Sequence, residues 1–544
     1  MRPYSDDPAW QDIGELEIAG ITADSRQVVP GDLFAALPGV RADGRAFIAD
    51  AVARGAVAVV APPGTPWPAG VPQRPLIITG EPRRMLAQIA AAIAGPQPET
   101  VVAVTGTNGK TSTVEFLRQL WLAAGHNAAS LGTLGLIAPG FDPGPGLTTP
   151  DPVSLAESLA GLARAGIQHA AIEASSHGLD QFRLDGVRLA AGAFTNLTRD
   201  HLDYHGTMEA YRTAKLRLFQ ALLRPGSPVV AHADMDTATL DALRDIARDR
   251  RYDLRTVGET GDQYRLLRVV PLPDGQELTL LAGGERRVVR LNLPGRFQAD
   301  NALVAAALAE VLGDSAALDR LPLLTGVRGR MELAVRLPNG AAAYVDYAHT
   351  PDALERLLSA LRPHTAGRLV VVFGAGGDRD RGKRPLMGAA AARLADAAIV
   401  TDDNPRGEDP AAIRSAVLAA CPNGREIGDR EAAIAAALGL LGPGDVLVVA
   451  GKGHEQGQTI GGTVVPFDDV SVVRRLVMGK TEGQEAHVLM GEMAAQPSKT
   501  LPLPLREGAG GRGRSESAAT AGASPGGAPS PLPPPSRGGG VVSK

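Results

Sequence analysis

The stretch VVAVTGTNGKTST, residues 101–113, carries the first groups that could act on a phosphate. An apolar run leads into Gly106 and Gly109, which permit a tight turn and let backbone N–H groups of Gly106, Thr107, Asn108, Gly109, Lys110, Thr111 and Ser112 point at an anion. Lys110 can reach the β and γ phosphates of a nucleotide, and the Thr111 hydroxyl can hold Mg²⁺. The general phosphate loop, G-x-x-x-x-G-K-[ST], would place its first glycine at 104, where this chain has Val104. The stretch is therefore either a glycine turn with a solvated lysine or a loop of a narrower class.

Further groups follow at two more strand ends. Glu173 closes the apolar run of AAIEASSHGLDQFR, and AGAFTNLTRDHLDYHG ends in Asp200, His201 and Asp203. A carboxylate and an imidazole beside a phosphate loop suit metal ions bridging a triphosphate, although Mg²⁺ prefers oxygen and a lone histidine is more often structural. In TMEAYRTAKLRLFQALL the apolar positions Met208, Tyr211, Leu218, Phe219 and Leu222 fall at helical spacing, and Lys215 lies on the same face. An inward ammonium would have a depressed pKa and a reactive free amine; the alternative is a side chain that snorkels to solvent.

Those residues need at least one parallel sheet to bring them together. The chain has 544 residues, and at the usual domain size this suggests about three domains. We expect an α/β fold: an N-terminal unit at 1–95, a central P-loop-type ATPase with a mostly parallel sheet at 96–327, and a C-terminal Rossmann-like domain at 328–478. The last shows four apolar runs, each entering a polar loop: YVDYAHTPD, LVVVFGAGGDRD, AAIVTDDNPRGED and VLVVAGKGHE. Ligands of open α/β sheets sit beyond the carboxyl ends of the strands, so these loops should converge on one crevice. Residues 479–544 are rich in Gly, Pro, Ala and Ser and read as a disordered tail.

Composition narrows the classes further. A net charge of −4 gives no reason to expect nucleic acid or an acidic membrane as partner. The N-terminal sequence lacks the apolar core of a signal peptide, no apolar run reaches the ~20 residues of a membrane span, and we expect no membrane insertion. Cys421 is the single cysteine, which excludes an internal disulfide framework and a zinc cluster. The expected setting is cytoplasmic, and the expected state is a monomer.

Taken together, GTNGKTS, EASSHGL, TNLTRDHLDYHGTMEAYRTAK, GRFQADNALVAAA, GVRGRME, DYAHTPDAL, GDRDRGKRP, DNPR and GKGHE resemble the Mur ligases of peptidoglycan synthesis over essentially residues 20–478. In that family GTNGKTS is the usual form of the phosphate loop. The resemblance implies an ATP-dependent amide ligase acting on small molecules: a UDP-N-acetylmuramoyl peptide, an amino acid and ATP. It implies that Ala23 and Ser25 touch the UDP end of the substrate, and that Thr148, Thr149, Ser175, Gln181 and Arg183 hold its muramoyl-peptide part. Asn301 and Arg330 would help hold ATP. Lys215 matches a lysine carried as a CO2-derived carbamate, and with Thr111, Glu173 and His201 it would complete the Mg²⁺ sites. Some relatives have Asn where this chain has Leu147, which leaves that contact open.

The reaction implied is attack of a carboxylate on the γ-phosphate of ATP, giving an acyl phosphate that an amine then displaces. Such chemistry needs positioning and charge neutralisation, with Lys110, Lys215, His201 and Glu173 as the catalytic set. In DDNPRGED, Arg406 offers a planar fork for a carboxylate. A buried arginine there favours meso-diaminopimelate over L-lysine, whose far end carries only an ammonium. Arg379, Asp403, Asn404, Pro405, Gly451 and Glu455 would complete that pocket. A lysine-adding ligase and a folylpolyglutamate synthetase-like ligase are the alternatives.

Overall fold

The computed structural model describes residues 16–39, 42–144 and 146–478, so the tail expected at 479–544 lies outside the described residues. Within these, three separate sheets and a hairpin are formed. The first sheet is parallel throughout, in the order β1 (Gly20–Thr22), β2 (Asp32–Ala35), β3 (Ala58–Ala61), β4 (Leu76–Ile78). The helix Pro82–Ala94 covers one face, starting with proline at its first turn, where the missing N–H costs nothing.

The central sheet is built around β5 (Thr100–Thr105), whose run of small branched side chains is buried on both faces. Val102 and Val104 pack into a cluster with Phe116, Leu117, Leu303 and Leu308, while Val101 and Ala103 pack on the opposite side with Leu159, Phe219 and Leu243. The strand alternation thus divides two cores, and helices Lys110–Ala123 and Arg296–Val311 lie together on the first. Beside β5 lie β8 (His169–Glu173) and β9 (Ala191–Phe194), both parallel to it. The carboxyl ends of three neighbouring strands therefore deliver the phosphate loop, Glu173 and the loop to His201 to one edge.

The remaining strands are β6 (Ala128–Gly132) and β7 (Gly135–Ile137) on one side, then β10 (Pro228–His232), β11 (Asp253–Gly258), β12 (Tyr264–Leu272), β13 (Gly275–Ala282) and β14 (Glu285–Leu291) on the other. The β12–β14 pairings are antiparallel, an extension that the strand–loop–helix pattern did not foretell. The expected helix through Leu222 is α-helical from Met208 to Arg217 and continues as a π turn, Leu218–Leu222.

The third sheet has the order β15-β16-β20-β17-β18-β19, with β15 (Glu332–Arg336), β16 (Ala342–Asp346), β17 (Leu369–Phe373), β18 (Ala397–Val400), β19 (Arg425–Glu426) and β20 (Val446–Ala450). All pairings except β15–β16 are parallel, so the four polar loops leave the sheet at the same edge. A hairpin, β21 (Gly457–Ile460) and β22 (Thr463–Pro466), joins that edge through the Arg406–Ile460 bridge.

Candidate functional site

The phosphate loop takes its shape from Gly106 (φ 148°) and Gly109 (φ 83°). A Cβ on Gly106 would lie 2.0 Å from Thr195 Oγ1, and one on Gly109 2.2 Å from Asn301 Oδ1, so both glycines are required by close approach. The loop is braced by the segment after β9. The Asn108 N–H donates to Asn196 Oδ1 (3.0 Å), Thr195 Oγ1 donates to Asn108 O (2.6 Å), and Thr198 N–H donates to Thr107 Oγ1 (3.0 Å).

Two lysines converge on this loop. Lys110 Nζ donates to the carbonyls of Gly106 and Thr107, each at 2.9 Å, and the buried Lys215 Nζ donates to Gly106 O at 2.7 Å. Of the two sequence alternatives for Lys215, the inward one is realised: the residue is 1% exposed, with Nζ 4.6 Å from the centre of the Tyr211 ring. Burial, reinforced by Lys110, holds its amine well below the usual lysine range. Lys110 is also depressed, chiefly by burial and further by Arg330, against the pull of Glu173 and Asp200. Burial pushes the Tyr211 hydroxyl up to about 12, while that group donates to Thr107 Oγ1 at 3.2 Å.

Glu173 is 1% exposed and accepts from Thr133 N–H (2.8 Å) and Thr133 Oγ1 (3.2 Å). Thr133 Oγ1 lies 3.0 Å from Thr148 Oγ1, and Thr149 Oγ1 donates to Glu173 O (2.8 Å) while accepting from Ser175 N–H (3.0 Å). Thr133 thus holds the carboxylate itself, Thr148 adjoins Thr133, and Thr149 and Ser175 are tied to the backbone carbonyl of Glu173. His201 differs: it is half exposed, adopts φ 51°, and its Nε2 lies 3.6 Å from Asp200 Oδ2. Its ring meets those of His177 (5.0 Å) and Tyr211 (6.2 Å). Among the described residues no three His, Cys, Asp or Glu side chains form a ready-made metal cluster.

Between the first sheet and the central one lies a cavity of about 850 Å³. Ala23, Asp24, Leu147, Gln181, Arg83 and Arg183 are among its walls. Arg183 donates to Thr149 O (2.6 Å) and Gln181 Oε1 (2.8 Å), which ties this cavity to the Glu173 edge. Ser25 is placed elsewhere: buried in the turn Ser25–Gln27, its hydroxyl faces Asp50 rather than the cavity. Leu147 projects an exposed apolar side chain where a polar contact was in question.

The third-sheet loops form a second crevice. Arg406 is held at φ 51° by backbone bonds with Thr459 and Gly461, and its Nη1 donates to Gly377 O at 2.9 Å. It is half-buried, which corrects the expectation of a buried arginine: the hairpin β21–β22 covers its backbone and leaves part of the side chain open. Nε and Nη2 take no partner among the described residues, so one edge of the fork is open to a carboxylate. Asp403, Asn404 and Pro405 are buried beside it. Asn404 Nδ2 donates to Glu455 Oε2 (2.9 Å), and a Cβ on Gly451 would lie 3.2 Å from Asp403 Oδ2. Arg379 is exposed in the neighbouring loop.

Arg330 lies between the two centres, its guanidinium 4.7 Å from the centre of the Tyr347 ring. His454 packs against the same Tyr347 ring, with centres 5.0 Å apart, and burial, with Arg330 adding, pushes its imidazole down to about 4. Sequence reasoning missed Thr133, Asn196, Tyr211, Tyr347 and Lys452. Tyr211 was seen only as apolar surface, and Thr133 and Asn196 are contacts made by sheet order, for which the chain has no local signal.

Family models match most of the chain: the Mur ligase family catalytic domain at residues 17–93, the Mur ligase middle domain at 104–309, and the Mur ligase glutamate ligase domain at 329–453. A Caulobacter vibrioides relative named UDP-N-acetylmuramoyl-L-alanyl-D-glutamate–2,6-diaminopimelate ligase is 54% identical over 488 residues, covering 88% of this chain and 97% of its own. A solved structure bearing the same ligase name is 35% identical, with a TM-score of 0.65 over 85% of this chain and 95% of the other. The MurF ligase of Thermotoga maritima in complex with ADP shares the fold at 18% identity, with a TM-score of 0.57 over 86% of this chain and 99% of its own.

Proposed function

The chain belongs to the Mur ligase family, and from that premise we propose that it adds meso-2,6-diaminopimelate to UDP-N-acetylmuramoyl-L-alanyl-D-glutamate, at the expense of ATP and through an acyl phosphate. The observation that carries the choice of amino acid is the Arg406 fork, half-buried with one edge open, beside Asp403, Asn404 and Glu455. A distal carboxylate suits the fork, and a distal ammonium suits the acidic groups. The name of the Caulobacter vibrioides relative supports the same choice.

The residues divide the work as follows. The cavity walled by Ala23, Gln181 and Arg183 receives the nucleotide-linked sugar peptide, with Thr148, Thr149 and Ser175 leading its carboxylate toward the phosphate loop. Backbone N–H groups from Gly106 to Ser112 and Lys110 hold the triphosphate, with Asn301 and Arg330 fixing the rest of ATP. Lys110 spreads the charge on the transferring phosphoryl group while the substrate carboxylate attacks. With the far end of the amino acid held at Arg406, Asp403 and Glu455, the amine at its near end attacks the acyl carbon, and phosphate leaves. No protein nucleophile enters the sequence of steps.

The donors beside the loop fit a hard divalent cation, since the buried Glu173 carboxylate and the Thr111 hydroxyl both offer oxygen. Thr111, Glu173, His201 and a carbamate on Lys215 would hold Mg²⁺, which when bound screens the charge of the triphosphate. Support for the carbamate comes from the Lys215 environment: a depressed amine with no carboxylate partner among the described residues is the form that adds CO2. Mass analysis of protein kept under bicarbonate should show one added CO2 on Lys215; none on rapidly quenched protein counts against it. The activity itself is tested by ADP and phosphate release, which should require the muramoyl dipeptide and diaminopimelate together. Release with either alone would refute the proposal.

A further inference from the structure

The second crevice also holds a fully buried ammonium. Lys452 follows β20 and is 0% exposed. Its Nζ donates to Asn404 Oδ1 at 3.2 Å and to Glu455 Oε2 at 3.1 Å. Asn404 Oδ1 also accepts the Thr459 N–H at 2.8 Å, while Asn404 Nδ2 donates to Glu455 Oε2 (2.9 Å) and Asp403 Oδ1 (3.2 Å). Two donors reaching Oδ1 fix which way the amide points, because the reversed amide would set NH₂ against an ammonium and an N–H. Two donors also occupy Glu455 Oε2, and among the described residues Oε1 takes none. Glu455 is 34% exposed, so Oε1 has access to the crevice.

We propose that Lys452 is a positioning residue that sets amino-acid specificity through Glu455 and Asn404, an inference that rests on the proposed function. Its ammonium holds Glu455 with one oxygen turned to the substrate and offsets one of the two acidic charges of the pocket. The substrate end then meets a balanced site, an acidic oxygen for its ammonium and the Arg406 fork for its carboxylate. Without the Lys452 charge the pocket gains one unit of negative charge. Such a pocket discriminates less well against an amino acid whose far end carries an ammonium alone.

The test uses the full chain with Lys452→Met and Lys452→Gln, each assayed by phosphate release with diaminopimelate and with L-lysine. Loss of a charge-assisted bond to the pocket should raise KM for diaminopimelate about tenfold and lower the diaminopimelate-to-lysine ratio of kcat/KM about tenfold. KM for ATP and for the muramoyl dipeptide should stay within about twofold, and in a Glu455→Gln background Lys452→Met should add less than about twofold, since residues acting through one another are not additive. An unchanged ratio, a parallel rise in all three KM values, or failure of both variants to fold overturns the positioning role. Wild-type chain that releases no phosphate with diaminopimelate overturns the proposed function itself, and is recognised before any variant is compared.

Discussion

Replacing Lys215 by methionine should leave the fold intact or strengthen it while abolishing most turnover. The side chain is 1% exposed, and its one hydrogen bond goes to Gly106 O at 2.7 Å. That carbonyl keeps a second donor, Lys110 Nζ at 2.9 Å, so the substitution leaves no orphaned acceptor. Methionine has a similar unbranched shape and can pack on the Tyr211 ring with no ammonium to desolvate. Exchanging a poorly paired buried charge for an apolar group of like volume is neutral or stabilising by about 1–3 kcal/mol. Loss of a charged group from the phosphate centre costs about 3–4 kcal/mol in the transition state, or roughly 10²–10³ in kcat. Urea unfolding followed by near-UV signal, with phosphate release on the same preparation, separates the two effects. A variant destabilised by more than about 2 kcal/mol, or one that keeps near-normal turnover, would refute the assignment of Lys215 to chemistry rather than to structure.

Three further outcomes follow from particular contacts. Gly109→Ala places a methyl group 2.2 Å from Asn301 Oδ1 at φ 83°, and should cost about 1–3 kcal/mol and raise KM for ATP tenfold or more; normal ATP affinity would show that the loop does not hold nucleotide. Arg406→Lys keeps the charge but loses the planar fork, so kcat/KM for diaminopimelate should fall about 10–100-fold with KM for ATP little changed, and an unaffected value removes Arg406 from the pocket. His364 Nε2 accepts the Gly295 N–H at 2.8 Å and its Nδ1 faces Leu272 O at 2.9 Å, so the ring must be neutral, and burial holds its pKa below the usual histidine value. The folded chain then binds fewer protons than the unfolded one. Stability should be lost as pH falls through about 6.5 toward the folded pKa, by at most about 1.4 kcal/mol per unit, and His364→Gln should flatten that limb.

The chemistry-bearing residues were more legible in the sequence than the scaffold that places them. Gly106 and Gly109 could be read because only glycine tolerates their backbone angles, and Lys215 because a charge at apolar helical spacing is itself a signal. The meeting of the phosphate loop with Glu173 could be expected from strand ends, but the β9-β5-β8 order that brings it about is a matter of long-range pairing. The antiparallel β12–β14 edge escaped for a related reason: a bulge between Leu266 and Arg268 breaks the two-residue alternation of β12, so Arg265 and Arg268 share the outward face although they are three residues apart. Ser25 was carried over from a motif, and the fold turns its hydroxyl to Asp50. Lys452 could not be singled out because GKGHE gives no hint that the lysine is fully buried while the glutamate it pairs with stays partly open.

The most direct test of the account is the amino-acid dependence of phosphate release by the full chain, with UDP-N-acetylmuramoyl-L-alanyl-D-glutamate and ATP held saturating. Release should appear with meso-diaminopimelate, and L-lysine should be poorer by about 10²-fold or more in kcat/KM, the discrimination expected when an arginine fork is left without its carboxylate. Equal or better turnover with L-lysine would contradict the role given to Arg406, and release independent of any added amino acid would contradict the ligase mechanism.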